Sequence, residues 1–206
     1  MRIAWISAAT ALLLAACAAE EVYDPLRDYE EVDPSTVLDA PSITGVAPEN
    51  QDAVNHGEYL VELLGCGACH TEGALIGEPD MSMPLAGSSI GIAYTSPFQN
   101  PKPGIVFAPN LTPDRDTGIG RWTDDEIKDA VRTGLGRHGP NRILVMPWQG
   151  YSRITEDDAW AIVAYLRSLP PIENTVPVNV PVGSETSETY VHFGVYRSKG
   201  LPTFEP

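Results

Sequence analysis

The 206 residues carry 28 acidic against 13 basic side chains, a formal charge of −15, and 43% of them are apolar. That length accommodates one ordinary domain with extra segments but hardly two. So acidic a chain is poorly suited to the phosphate backbone, which argues against nucleic acid as a partner.

In chain order, residues 1–16 hold one cation, Arg2, and then an uncharged apolar run from Ile3 to Ala16. The run is short and Ala-rich for a membrane span and reads as a secretory signal. It ends in Leu14-Ala15-Ala16-Cys17, which resembles the bacterial lipoprotein box, so lipidation at Cys17 is expected. Residues 18–40 contain eight acids and one base, Arg27. With few large apolar side chains to offset ordering entropy, residues 17–50 read as an acidic flexible tether.

Three helices are predicted in the remainder. The first spans about Asp52 to Leu64, where Tyr59, Leu60, Leu63 and Leu64 recur at helical spacing and Gly65 ends the run. The second begins at "WTDDEIKDAVRTG", with Thr123 and Glu126 as a capping box and Gly134 as the stop. The third begins at "ITEDDAWAIVAYLRSLPP", capped by Thr155, acidic in its first turn and closed by Pro170-Pro171. Between the first and second lies a long stretch rich in Gly, Pro and Ser with little periodicity. A connection of that kind makes sense inside a compact domain if it wraps something other than protein. Beyond Ile172 the spacing of Pro and Val suits an extended tail over 173–206.

The chemistry concentrates in "GCGACHTEG", residues 65–73. Cys-x-x-Cys-His is the spacing at which two thiols add to the vinyl groups of haem while the next histidine reaches the iron. A redox dithiol would follow a strand in a βαβ unit, and here the preceding residues are helical. A structural zinc site would need two more ligands at set spacing, and no second Cys pair exists among the three cysteines. With Cys17 lipidated, Cys66 and Cys69 account for the rest. One covalent haem c is therefore expected, with His70 on the iron. For the sixth iron position the expected ligand is Met146, which stands directly before Pro147 between the second and third helices. Met81 and Met83 follow His70 too closely to round the haem easily. They remain alternatives, as does a second histidine at His138, His56 or His192.

Helix, "CGACH", long loop, helix, "MP" and "AIVAYLRSLPP" together resemble a class I cytochrome c domain over about 53–172. The stretches "APNLTPDRDTGIGRWTDDEIKDAVRTG" and "MPWQGYSRITEDDAWAIVAYLRSLPP" are similar to domains of alcohol dehydrogenase cytochrome subunits and related dehydrogenase-partner cytochromes. The resemblance implies an all-α fold with crossing N- and C-terminal helices, Gly57 allowing close approach near Tyr165, and long haem-wrapping loops. It implies thioether links at Cys66 and Cys69, with His70 and Met146 as axial ligands. The chain departs from those subunits in having one attachment motif, a longer loop over 73–104 and an unmatched tail.

Arg115, Arg121, Lys128, Arg132, Arg137, Arg142 and Arg153 gather between 110 and 153. They are candidates for clamping haem propionates or for a docking patch, against the plainer reading of solvated surface arginines. Trp122 and Trp148 either pack on the haem or donate to a propionate. Asn110 opens an "NLT" sequon that a bacterial lipoprotein makes a chance match. The expectation is an exported cytochrome, lipid-anchored on the periplasmic or outer-surface face of a bacterial membrane. It passes single electrons between a dehydrogenase and a downstream carrier or oxidase without substrate chemistry of its own. The alternatives are a haem enzyme with a displaceable distal ligand and a docked haem subunit of a larger respiratory complex.

Overall fold

The computed structural model describes residues 24–34, 38–44, 46–137 and 145–194. The signal segment 1–16, Cys17, His138, Arg142 and the tail beyond residue 194 lie outside the described residues.

Helix α1 (Pro48–Leu63) and helix α5 (Glu156–Ser168) cross and form the main core. Val54, Leu60 and Val61 bury against Ala161, Ile162, Tyr165 and Leu166. The crossing is as close as backbone allows. A Cβ on Gly57 would sit 2.0 Å from the Ala161 carbonyl oxygen and 2.6 Å from Tyr165 Cβ, so glycine alone fits there. α1 starts at Pro48, earlier than the apolar spacing marks, because the polar Glu49 and Asn50 are exposed and carry no stripe to read.

Helix α3 (Asp124–Thr133) packs beside α5, its apolar side carried by Ile127 and Val131. Both helices open with reciprocal capping boxes, Thr123 with Glu126 and Thr155 with Asp158, each satisfying two backbone N–H groups that a helix start leaves orphaned. Gly134, at φ +68°, ends α3 in the left-handed turn. Short helices α2 (Cys66–His70) and α4 (Trp148–Tyr151) flank this layer.

The expected all-α architecture is corrected in part. Strand β1 (Gly91–Ala93) pairs antiparallel with β2 (Ile105–Val106) and parallel with β3 (Tyr190–His192), in the order β2-β1-β3. Ile92 faces Val106 on one side and Val191 on the other. Val180 adds a bridge to Ile105, each N–H reaching the other's carbonyl at 2.9 Å. The sheet carries its own small cores, Leu75, Ile90, Ile92 and Val106 in one and Ala93, Ile105 and Phe107 in the other. Strands of two or three residues are too short for alternation to show in sequence.

Within 17–50, some described residues contact the rest of the chain. Ala40, Ile43 and Val46 pack on the helical core, and the Tyr165 hydroxyl donates to the Pro41 carbonyl at 2.8 Å. Further upstream, the Tyr29 ring meets Tyr190 edge-on. The acidic composition hid these few apolar contacts. No helix among the described residues is long and apolar enough to cross a membrane.

Candidate functional site

Gly65, at φ +69°, turns the chain out of α1 and directly into α2. That single turn places Cys66 against Cys69 and His70 at three- and four-residue offsets, so all three share one helical face. They open on an apolar cavity of about 230 Å³, walled by Val61, Ile127, Ile162 and Leu166 from the helices and by Ile92 and Val106 from the sheet. Close-packed interiors leave few voids larger than a water molecule. A space of this size and polarity is shaped for a large apolar occupant.

Met146 lines the same cavity. Its loop is fastened by α4: the Trp148 N–H donates to the Met146 carbonyl at 2.8 Å, and the Tyr151 hydroxyl donates to the Leu64 carbonyl at 2.9 Å. The second of these ties the methionine loop to the end of α1, immediately before the cysteines. Burial pushes the Tyr151 hydroxyl up to about 12. The other sixth-ligand candidates lie elsewhere among the described residues. Met81 is exposed. Met83 does not line the cavity. His56 pairs with Asp158 at 2.7 Å, and the His192 ring bonds the Thr95 carbonyl at 2.5 Å.

His70 Nδ1 lies 2.8 Å from the Pro109 carbonyl oxygen. A carbonyl only accepts, so the neutral ring carries its proton on Nδ1 and its lone pair on Nε2. This is the arrangement by which a second group orients a metal-binding imidazole and raises its basicity.

Cys66 opens on the cavity, yet protein surrounds it closely enough that burial, with a smaller contribution from Cys69, pushes its thiol up to about 12. Burial raises Cys69 as well. Both shifts run opposite to the lowered thiol of a reactive redox dithiol.

Among the described residues no arginine lines the cavity. Lys128 and Arg132 meet Glu156, Arg137 meets Glu126, and Arg121 meets Asp116; Arg115 and Arg153 are exposed. Of the two candidate tryptophans, Trp122 lines the cavity, whereas the Trp148 ring lies against Gly134, 2.6 Å from where a Cβ would stand. Asn110 is 2% exposed, which leaves no room for a glycan.

Sequence reasoning missed the Pro109 carbonyl, the Tyr151 hydroxyl and the sheet wall. A backbone carbonyl carries no signature in composition. Tyr151 does stand within the quoted "MPWQGY" stretch, and its offset from Met146 was the available signal.

Two thiols, an imidazole with its second nitrogen occupied and a thioether, set around an apolar cavity, fit a covalently held haem. A zinc ion would need four ligands drawn tightly around it and no such space.

The cytochrome c family model matches residues 54–170. The chain is 30% identical over 168 residues to the alcohol dehydrogenase (quinone) cytochrome c subunit of Gluconobacter oxydans (strain 621H), covering 78% of this chain and 31% of that protein. It is 32% identical over 116 residues to the gluconate 2-dehydrogenase cytochrome c subunit of Pantoea cypripedii, 56% of this chain and 23% of that one. Over 112 residues it is 38% identical to the alcohol dehydrogenase (quinone) cytochrome c subunit of Komagataeibacter europaeus, 54% and 21%. The chain thus matches between about a fifth and a third of the length of these relatives. With the family match running through the cysteines, the cavity and the crossing helices, the chain belongs to the cytochrome c family, whose domain binds haem c covalently.

Proposed function

We propose that this chain is a one-electron carrier holding a single haem c, attached at Cys66 and Cys69 and ligated by His70 and Met146. The observation that carries the reading is the convergence of these four side chains on one apolar cavity. Haem iron bound there supplies a one-electron couple, and a thioether ligand in apolar surroundings favours the reduced state. The protein's own contribution is rigidity and dryness. Pro109 sets the His70 ring, Tyr151 and Leu64 hold the methionine loop, and the apolar wall excludes water. Like the cytochrome c subunits it resembles, the chain is an electron-transfer component and not a catalytic one.

The electron donor in this reading is a dehydrogenase and the acceptor a downstream carrier or oxidase. The relatives' names, cytochrome c subunits of alcohol and gluconate dehydrogenases, support that donor class, and they equally favour a chain docked as one subunit of such an assembly. The Leu14-Ala15-Ala16-Cys17 stretch supports export and a lipid anchor at Cys17 on the periplasmic or outer-surface face.

The test is haem staining after denaturing electrophoresis, with spectra of the native protein. Cys66→Ala with Cys69→Ala abolishes covalent haem, and Met146→Ala gives a high-spin ferric protein of lower potential. Haem that stays covalently bound without both cysteines overturns the attachment. A high-spin product from Met81→Ala or Met83→Ala overturns the ligand assignment. Cys17→Ala moves the protein from the detergent fraction to the soluble one; a variant that stays membrane-bound overturns the anchor.

A further inference from the structure

The loop that carries the Pro109 carbonyl is held by a buried polar network running into the C-terminal tail. Asn110, 2% exposed, uses its whole hydrogen-bonding capacity. Its Nδ2 donates to the Ile172 carbonyl at 2.7 Å and to Thr117 Oγ1 at 3.1 Å. Its Oδ1 accepts from the Thr112 N–H and the Thr112 hydroxyl, both at 2.8 Å. Thr112 Oγ1 in turn accepts from the Ile172 N–H at 3.1 Å. Thr117 Oγ1 accepts a second bond, from the Asn174 N–H at 3.0 Å, and donates its proton to Asp114. The members satisfy one another with little left over, the condition under which a buried network rigidifies its surroundings.

The Pro109 carbonyl and the Asn110 nitrogen belong to one peptide plane. Proline has no N–H of its own to anchor, and its ring fixes φ. The plane's orientation is therefore set by what holds Asn110, with backbone bonds on either side: Ser88 N–H to Ala108 O at 3.1 Å and Leu111 N–H to Leu85 O at 2.9 Å. His70 is held from the same quarter, since its own carbonyl accepts from the Gly87 N–H at 2.8 Å. A Cβ on Gly87 would lie 2.9 Å from Asn110 N.

We infer that Asn110 is a positioning residue for His70. By bridging its loop to the tail at Ile172, it locks the carbonyl that takes the His70 Nδ1 hydrogen bond and so tunes the basicity of the ligating nitrogen. The inference rests on the reading that His70 ligates the iron. A residue that merely holds the tail would affect stability and leave the iron untouched.

The experiment uses the full haem-loaded chain and compares Asn110→Ala and Thr117→Val with Thr155→Ala, a helix cap remote from this network. In both network variants the His70 Nδ1 proton exchanges with solvent about tenfold faster, the factor matching the net worth of one hydrogen bond. The reduction potential rises, because a less basic imidazole stabilises ferric iron less. Thr155→Ala lowers thermal stability and moves neither. Unchanged exchange and potential in a folded Thr117→Val protein overturn the proposal. Where a network variant does not fold, native-state exchange decides. The His70 Nδ1 proton then opens together with the Ile172 and Asn174 amides, and its opening independently of them overturns the proposal. Failure of the haem reading is seen separately, as covalent haem surviving the loss of Cys66 and Cys69.

Discussion

The helical layer and the loop-and-tail layer solve the same problem, a fixed wall for one cavity, by opposite means. α1, α3 and α5 are specified locally: each carries an apolar stripe, α3 and α5 open on capping boxes, and Gly134 stops α3. The sheet side is specified by partners far apart in the chain, with β1 gripped between β2 and β3 and Ile105 bridged to Val180. One side places helices by propensity and burial. The other places backbone carbonyls, Pro109 above all, by hydrogen bonds that no short window of sequence contains.

That contrast breaks most severely at Gly57. Gly57→Val drives a branched side chain into the Ala161 carbonyl and should cost about 3 kcal/mol or more, with thermal melting showing loss of the whole fold. A cost below about 1 kcal/mol would mean that the helices separate easily and the local layer is not the rigid one. Ile105→Ala, at a fully buried position in the sheet core, should cost about 2–4 kcal/mol. Its damage should stay on its own side: amide exchange quickens at Ile92 and Val180 while α1 and α5 keep their protection. Equal loss of protection in the helices would dissolve the distinction between the layers.

Thr155→Ala removes half of the α5 capping box and should cost about 1 kcal/mol, read from a denaturation midpoint shifted without a change in slope. The smallest effect is electrostatic. Bonding to Arg137 and the Thr123 N–H lowers the Glu126 carboxyl from its usual 4.5 to about 2. A depressed folded pKa contributes stability that is present above the ordinary pKa and fades as pH falls from about 4.5 through about 2. Glu126→Gln should therefore flatten the acid limb of the stability curve in that window, and salt should shrink the difference between the two proteins. An unchanged acid limb would show that this exposed pair contributes nothing.

The legibility of the sequence follows the same division. The three long helices, the cap at Thr123 and the stop at Gly134 were readable because their signals repeat within a few residues. The family was readable because chemistry requires the spacing of Cys66, Cys69 and His70, and Met146, which Pro147 sets apart in the sequence, lines the same cavity. The start of α1 at Pro48 was not readable, since the exposed Glu49 and Asn50 show no periodicity. Nor was the sheet, whose strands are short and whose partners are remote. The packing of Ala40, Ile43 and Val46 was masked by the acidic residues around them. In the arginine-rich stretch the plainer surface reading fits Lys128, Arg132 and Arg137, which meet exposed carboxylates.

The parallel pairing of β1 with β3 has a consequence for timing. Parallel strands so far apart in the chain meet only after most of it is available, and such long-range closures are the slow steps of folding. Ile92 and Val106, which wall the cavity beside the cysteines, share the small core that Val191 completes. In a chain emerging from its N-terminus, Cys66 and Cys69 are out long before Tyr190 arrives. A cavity wall that leans on so distant a strand should therefore be the last part of the site to become rigid.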